Sequence, residues 1–273
     1  MGVLNLTPDS FSDGGRWTDP DRAVEAGLRL LAEGADLLDL GAESTRPGGG
    51  VYGEGARTLP PEEEAERLLP VLERLRRLTG APLSVDTRKG EVARQALAAG
   101  ADLINDVSAL ADPALGAAVA AAGCPLVLMH SRGELRTMQR DIRFDDLLGE
   151  VKAELAQAVD RAAAAGIPAD RLVLDPGIGF GKTFEQNLAL IRRLDELRAL
   201  GRPLLLGASR KSFIGKAVEA AGGPATPAAG RLPGSLAAVA WGAAQGVEIV
   251  RVHDVAETVQ FLTVWRAIQG GRC

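Results

Sequence analysis

Short apolar runs alternate with longer amphipathic stretches from one end of the chain to the other. Eight runs read as strands: Gly2–Leu6, Asp36–Leu40, Pro82–Val85, Asp102–Asn105, Pro125–Met129, Leu172–Leu174, Pro203–Leu206 and Glu248–Val252. Short continuous apolar runs bounded by turn residues are what buried strands look like. Between them the apolar spacing is helical, near Asp19–Glu33, Pro61–Thr79, Lys89–Ala99, Pro113–Ala122, Asp145–Ala165, Phe184–Leu200, Gly234–Gln245 and Asp254–Ile268. Thr18-Asp19-Pro20, Pro60-Pro61-Glu62 and Asp112-Pro113 supply caps or first-turn prolines. Gly34, Gly100, Gly123 and Gly246 stop helices just before strands. Strict alternation of strand and helix predicts an α/β protein built as a single-domain TIM (β/α)8 barrel, residues 1–273, with no internal linker. An open doubly wound sheet is the structural alternative.

Two connections are longer than ordinary ones, and long loops are usually functional or disordered. The first runs from Gly41 to Leu59 and carries Gly48-Gly49-Gly50; the second runs from Gly207 to Pro233, with a mobile part expected from Ala220 to Gly230. Both follow strands, so in a barrel both lie on the C-terminal rim, where such folds carry their sites. A third loop, Asp175-Pro176-Gly177-Ile178-Gly179-Phe180-Gly181-Lys182, packs a carboxylate, glycines, an aromatic and a lysine after one strand. Its glycines suggest a phosphate cradle, but the spacing is neither that of a P-loop nor of a dinucleotide fingerprint.

Composition narrows the function class. The chain has 273 residues and a formal net charge of -5, so no basic patch argues for nucleic acid and nothing attracts a membrane surface. No apolar run approaches the roughly 18 residues a membrane span needs, and Met1 opens into a strand pattern rather than a signal peptide. Cys124 and Cys273 have no metal or redox spacing, which suits a reducing cytoplasm.

Polar residues cluster where strands end. The first strand is followed by Asn5, Thr7, Asp9, Ser10, Ser12 and Asp13, and the second by Glu43, Ser44, Thr45 and Arg46. Asp86 and Arg88 follow the third, Asn105 and Asp106 the fourth, and His130 the fifth. Asp175 and Lys182 follow the sixth, Ser209, Arg210, Lys211 and Ser212 the seventh, and Arg251, His253 and Asp254 the eighth. Helix capping accounts for Ser12, Asp106 and Asp254. It does not account for Asn5, Asp86, Asn105, Asp175 and Arg251, which fall at or inside strand ends and so face the barrel mouth, where a buried charge needs a partner. Asp86, Asn105 and Asp175 suit a planar heterocycle with N–H donors side by side. Asn5, Thr45, Arg46, Arg251 and His253 suit a phosphate, and Asn5 with Asp13 offers oxygens to a hard cation. No serine stands in a hydrolase elbow.

Seven of these motifs, in this order, resemble the dihydropteroate synthase family: Asn5 through Gly15, Glu43-Ser44-Thr45-Arg46-Pro47-Gly48, Ser84-Val85-Asp86-Thr87, Ile104-Asn105-Asp106, Asp175 through Lys182, Ser209-Arg210-Lys211-Ser212 and Arg251-Val252-His253-Asp254. The resemblance covers essentially the whole chain. It implies a (β/α)8 barrel that joins 6-hydroxymethyl-7,8-dihydropterin diphosphate to p-aminobenzoate, with Mg2+, in folate biosynthesis. It implies that Asp86, Asn105, Asp175 and Lys211 hydrogen-bond the pterin, between Met129 and Arg251. Thr45, Arg46, Arg251 and His253 would bind diphosphate, and Asn5, with Asp13 as a second candidate, the metal. Phe11, Thr45, Pro47, Phe180, Lys211 and Ser212 would shape the p-aminobenzoate site, its carboxylate near the N-terminus of the seventh helix. Sulfonamides would compete there, and a homodimer is the family's expectation.

The chain departs from the family's pattern in two places. Relatives commonly carry a further segment before the first strand, and often a methionine after the histidine of the fifth, where this chain has Ser131-Arg132-Gly133. A methyltetrahydrofolate-type methyltransferase module shares the fold and the Asp/Asn pterin contacts but handles no diphosphate. A non-catalytic relative is the non-enzyme alternative; it would lack motif residues, and none is missing.

Overall fold

In the computed structural model, which describes residues 1–6, 19–43, 59–133 and 142–270, helices and strands alternate as the pattern predicts. The strands are β1 (Gly2–Asn5), β2 (Leu38–Gly41), β3 (Leu83–Asp86), β4 (Leu103–Asp106), β5 (Leu126–Met129), β6 (Leu172–Asp175), β7 (Leu205–Leu206) and β8 (Ile249–Val250). The helices are α1 (Pro20–Ala32), α2 (Pro61–Leu78), α3 (Gly90–Ala98), α4 (Pro113–Ala122), α5 (Leu147–Ala164), α6 (Phe184–Arg192), α7 (Leu194–Leu197), α8 (Ser212–Ala220), α9 (Leu232–Ala244) and α10 (Val255–Ile268).

All strand pairs are parallel. Strands β1 to β6 form one continuous sheet and β7 pairs with β8. Two parallel bridges, Leu174↔Leu204 and Gly2↔Val252, join these pieces at both edges. The Val3 N–H donates to Val252 O at 2.9 Å and the Leu174 N–H to Pro203 O at 2.9 Å. The sheet therefore closes on itself, and the open-sheet alternative is excluded.

Local chemistry explains the helix boundaries. The Asp19 carboxylate accepts from the Asp21 N–H at 2.9 Å with Pro20 in the first turn, and Asp112 accepts from the Ala114 N–H at 2.9 Å ahead of Pro113. These are the N-terminal devices expected from sequence. Two differences are informative. The stretch Phe184–Leu200 is broken at Arg193, whose φ of -122° and ψ of 32° are not helical. The long connection after β7 contains α8, because Phe213, Ile214 and Gly215 find buried places against the barrel. An unpredicted helix thus starts at Ser212, ahead of the predicted one, which spans Leu232–Ala244.

Period-two alternation divides the strand residues between two cores. Leu38, Leu40, Leu83, Val85, Ile104, Leu126, Leu128, Leu172, Leu174, Leu204 and Leu206 point outward into the layer shared with the helices. There they meet Leu68, Leu72 and Leu75 of α2, all essentially inaccessible, and truncating one such leucine costs about 2–5 kcal/mol. Met1, Val127 and Leu205 point inward, with Leu37, Leu103, Val173 and Ile249 packed against them. Together they plug the barrel interior near the strand starts. Two residues further along the same strands, the inward positions are Val3, Asp39, Asn105, Met129, Asp175, Gly207 and Arg251. The layer above the plug is mostly polar.

Candidate active site

That upper layer is held by a carboxylate the strand-end reading overlooked. Asp39, in β2, is wholly buried and accepts from three directions: Ser84 Oγ at 2.5 Å, Asn105 Nδ2 at 3.1 Å and Arg251 Nε at 2.6 Å. The second arm of the Arg251 fork, Nη2, donates to Asp86 Oδ2 at 3.0 Å. One guanidinium is thus clamped between carboxylates of β2 and β3, with its stem just past β8. The signal was present in the sequence, since a lone aspartate inside the run Leu37–Leu40 must be paired if it is buried. Its partners were not legible, because they come from three distant strands.

Asp175 ends β6 and is also buried. Its Oδ1 accepts the Gly177 N–H at 2.7 Å. Gly177 has a φ of +67°, and a Cβ there would stand 1.8 Å from His130 O, so only glycine makes this turn. The seventh strand contributes no side chain at this level, because its inward position is Gly207. A Cβ at Gly207 would lie 3.7 Å from Asp175 Oδ2, 3.8 Å from Lys211 Nζ and 4.0 Å from Arg251 Cβ. Four of the residues assigned to the pterin by motif, Asp86, Asn105, Asp175 and Arg251, therefore line one mouth, and Lys211 reaches it from the turn before α8. Lys211 Nζ donates to Ile178 O and stands 4.7 Å from the centre of the Phe180 ring. Met129, Val107 and Phe180 form a small buried apolar wall beside it.

Electrostatics follow from burial. Desolvation pushes the Asp86 carboxyl up to about 7, with Arg251 pulling against it. Burial also raises Asp175 above the ordinary carboxylate range, opposed by Lys211 and the Gly177 N–H. Donors on a ligand would relieve both.

Ser209 organises the eighth-strand end. Its Oγ accepts the His253 backbone N–H at 3.2 Å, so its own proton is available to His253 Nδ1 at 3.0 Å. That arrangement leaves the ring proton of His253 on Nε2. Arg210 adopts a left-handed φ of 58°. It is held there by a two-pronged contact to Asp254, Nε to Oδ2 at 3.0 Å and Nη2 to Oδ1. Asp254 stands at the N-cap of α10, but its carboxylate takes Arg210 instead of capping the helix. Asp106 closes a turn and does not cap the following helix, whose N-cap is Asp112; it accepts from the Ser108 N–H at 2.8 Å and the Leu110 N–H at 2.5 Å.

The glycine loop spends its cation internally. Lys182 Nζ donates to the Gly177 and Phe180 carbonyls at 3.0 and 2.9 Å, which argues against a phosphate cradle. Ser131 Oγ donates to Val107 O at 2.9 Å, and Arg132 lies 3.9 Å from the Phe144 ring centre. Asn5 ends β1 opposite Gly41 of β2. Glu43, just past β2, accepts the Leu59 N–H at 3.1 Å and lies 3.3 Å from Lys89 Nζ. It thereby ties together the two ends of the first long loop. Phe11, Asp13, Thr45, Arg46 and Pro47 lie outside the described residues.

This closed parallel barrel, with a carboxylate-and-amide layer at its C-terminal mouth, falls in the class of pterin-binding enzymes. The family model described as "Pterin binding enzyme" matches residues 1–253. The dihydropteroate synthase of Synechocystis sp. is 44% identical over 269 residues, covering 98% of this chain and 89% of that protein. The Xanthomonas albilineans dihydropteroate synthase with 4-aminobenzoic acid superposes with a TM-score of 0.89 at 48% identity, covering 100% of this chain and 93% of that one. The same enzyme in complex with 7,8-dihydropteroate gives a TM-score of 0.86 at 45% identity, with 100% and 94% covered. The chain belongs to the dihydropteroate synthase family.

Proposed function

We infer that this barrel joins 6-hydroxymethyl-7,8-dihydropterin diphosphate to p-aminobenzoate, making 7,8-dihydropteroate and diphosphate. The observation that carries the reading is the buried layer of Asp86, Asn105, Asp175 and Arg251 above an apolar plug, reached by Lys211. In this reading a single domain, residues 1–273, holds both substrates. Asp175 and Asp86 accept from the pterin's N–H groups, Asn105 and Lys211 complete its polar edge, and Met129 and Arg251 cover its faces. The C–O bond to diphosphate breaks, the aniline nitrogen forms the new C–N bond, and that nitrogen releases a proton. An aniline is already a competent nucleophile, so no activated serine or cysteine is required. What the protein must supply is charge compensation for the departing oxygens, the part given to Arg251 and His253 with Thr45 and Arg46. Phe180, Lys211 and Ser212, with Phe11, Thr45 and Pro47, form the p-aminobenzoate site. The mixture of purified protein, dihydropterin diphosphate, p-aminobenzoate and Mg2+ should yield diphosphate and dihydropteroate in equal amounts, and sulfonamides should compete with p-aminobenzoate. Absence of both products would overturn the reading.

Mg2+ suits the donors in a limited way. Among the described residues no group of three or more His, Cys, Asp or Glu gathers as a metal cage. A hard cation that keeps several waters needs only one or two protein oxygens beside substrate phosphates, and Asn5 supplies an amide oxygen at a strand end. When bound, the ion offsets negative charge on the diphosphate. Asn5 would hold it, with Asp13. Asn5→Ala is expected to raise the Mg2+ concentration for half-maximal rate roughly tenfold or more; an unchanged metal titration would remove Asn5 from this role.

A second copy of the chain is the partner in this reading. Trp241 of α9 is 50% exposed, and Val264 and Ile268 of α10 are 54% and 79% exposed, which leaves these helices with apolar surface facing outward. Sedimentation velocity should give twice the 28.5 kDa chain mass, and a monomer at micromolar concentration would refute it. No helix among the described residues is long and apolar enough to cross a membrane, and the reading places the activity in the cytoplasm.

A further inference from the structure

The glycine-rich loop ends on a buried ammonium that the reaction does not itself require. Lys182 is 2% exposed, and its Nζ is ringed by Gly177 O at 3.0 Å, Phe180 O at 2.9 Å and His130 Nδ1 at 2.9 Å. An ammonium has three N–H bonds, so this set of acceptors matches its full valence. His130 accepts at Nδ1 only if its proton sits on Nε2, which lies 3.0 Å from Glu154 Oε2 on α5. Glu154 is gripped in turn by Arg132 Nε at 2.9 Å. The loop is therefore moored through one lysine to a histidine after β5 and to a helix beyond it.

The two carbonyls involved are not incidental. Gly177 is the residue whose N–H fixes Asp175 Oδ1 at 2.7 Å. Phe180 is the aromatic beside Met129 and Val107, under the ammonium of Lys211. We propose that Lys182 is a positioning residue that latches this loop, so that one buried cation sets both the Asp175 carboxylate and the Phe180 wall. The proposal rests on the reading that Asp175 meets the pterin and Phe180 the p-aminobenzoate.

The latch works only while the amine is charged. A neutral amine keeps two N–H bonds and turns a lone pair toward one of its three acceptors. Burial brings Lys182 down to about 7; Asp175 and Glu154 pull it up, while Lys211 and Arg132 push it down. His130 is lowered to about 4 by burial and by Lys182, so it stays a neutral acceptor where the lysine titrates. The protonated fraction of Lys182 falls as pH rises through its folded value, and the loop loosens in that direction.

The test is steady-state kinetics on the wild type, Lys182→Met and Lys182→Arg from about pH 6 to about pH 8.5, with Asp175→Asn and Phe180→Ala as controls. In the wild type, KM for p-aminobenzoate should rise about tenfold across this range, the scale of one hydrogen bond from a charged donor. Lys182→Met should show the high KM at every pH. Lys182→Arg, charged throughout, should remove the rise. A thermal midpoint lowered by Lys182→Met with KM and pH profile unchanged would mean a merely structural lysine and overturn the latch. If Lys182→Met does not fold, a wild-type KM that is flat with pH, or one whose rise persists in Lys182→Arg, overturns it equally. If instead the Asp175 and Phe180 controls leave both substrates' affinities unaltered, the site assignment has failed, whatever the lysine does.

Discussion

Asp175→Asn is expected to weaken binding of the dihydropterin diphosphate by about 100-fold or more while leaving the fold at least as stable at neutral pH. The affinity loss follows from donor counting. A carboxylate accepts two parallel hydrogen bonds from a ring edge, whereas the amide turns its own donors toward one of them, and each hydrogen bond to a charged group is worth about 1.5–3 kcal/mol. Stability moves the other way because burial raises the folded pKa of Asp175 above its unfolded value. Such a group adds stability at low pH, and that stability is lost as pH rises from the unfolded value through the folded one. The variant is therefore expected to gain on the wild type as pH increases through that window, while its Oδ1 still accepts the Gly177 N–H. Titration calorimetry with the substrate, and thermal unfolding at several pH values, check both halves. Unchanged affinity would remove Asp175 from the pterin site.

The second large effect belongs to Asp39, which touches no ligand in the proposed reaction. Asp39→Ala strips the acceptor from Ser84, Asn105 and Arg251 together and leaves the guanidinium with Asp86 as its one carboxylate in the clamp. Breaking a buried ion pair by deleting one partner costs about 3–5 kcal/mol, which for a chain of this size lowers the thermal midpoint by roughly 10 °C. The rate should fall as well, because Arg251 and Asn105 lose the group that aims them. Asp39→Asn keeps an acceptor and should lie between the two. Scanning calorimetry with kcat/KM measured well below the midpoint separates the effects, and a midpoint and rate equal to wild type would contradict the clamp.

These residues show where sequence reasoning reached and where it stopped. Asp86, Asn105, Asp175 and Arg251 were legible because an ionisable or amide group at the end of an apolar strand has few places to go in a barrel. Asp39 and Ser84 were not, because their meaning depends on register between strands 45 residues apart and on an arginine 212 residues away. The helix starting at Ser212 was hidden by the glycine-rich stretch behind it, since three buried side chains decide its formation and local propensity does not. Asp254 looked like a cap because it precedes a helix; the long reach of Arg210 takes it over. Lys182 could be placed in a loop, but its acceptors are main-chain atoms, which carry no sequence signature.

The plug beneath the polar layer has a consequence for how the site feels charge. Met1, Val127 and Leu205, with their aliphatic neighbours, close the barrel below Asp39, Asp175 and Arg251, so water approaches these charges from the mouth side. A planar molecule seated there covers the one hydrated face and takes over the job of solvent. The field between the carboxylates and whatever positive charge develops above them then acts through a poorly screening medium. In that sense the substrate completes the dielectric as well as the contacts.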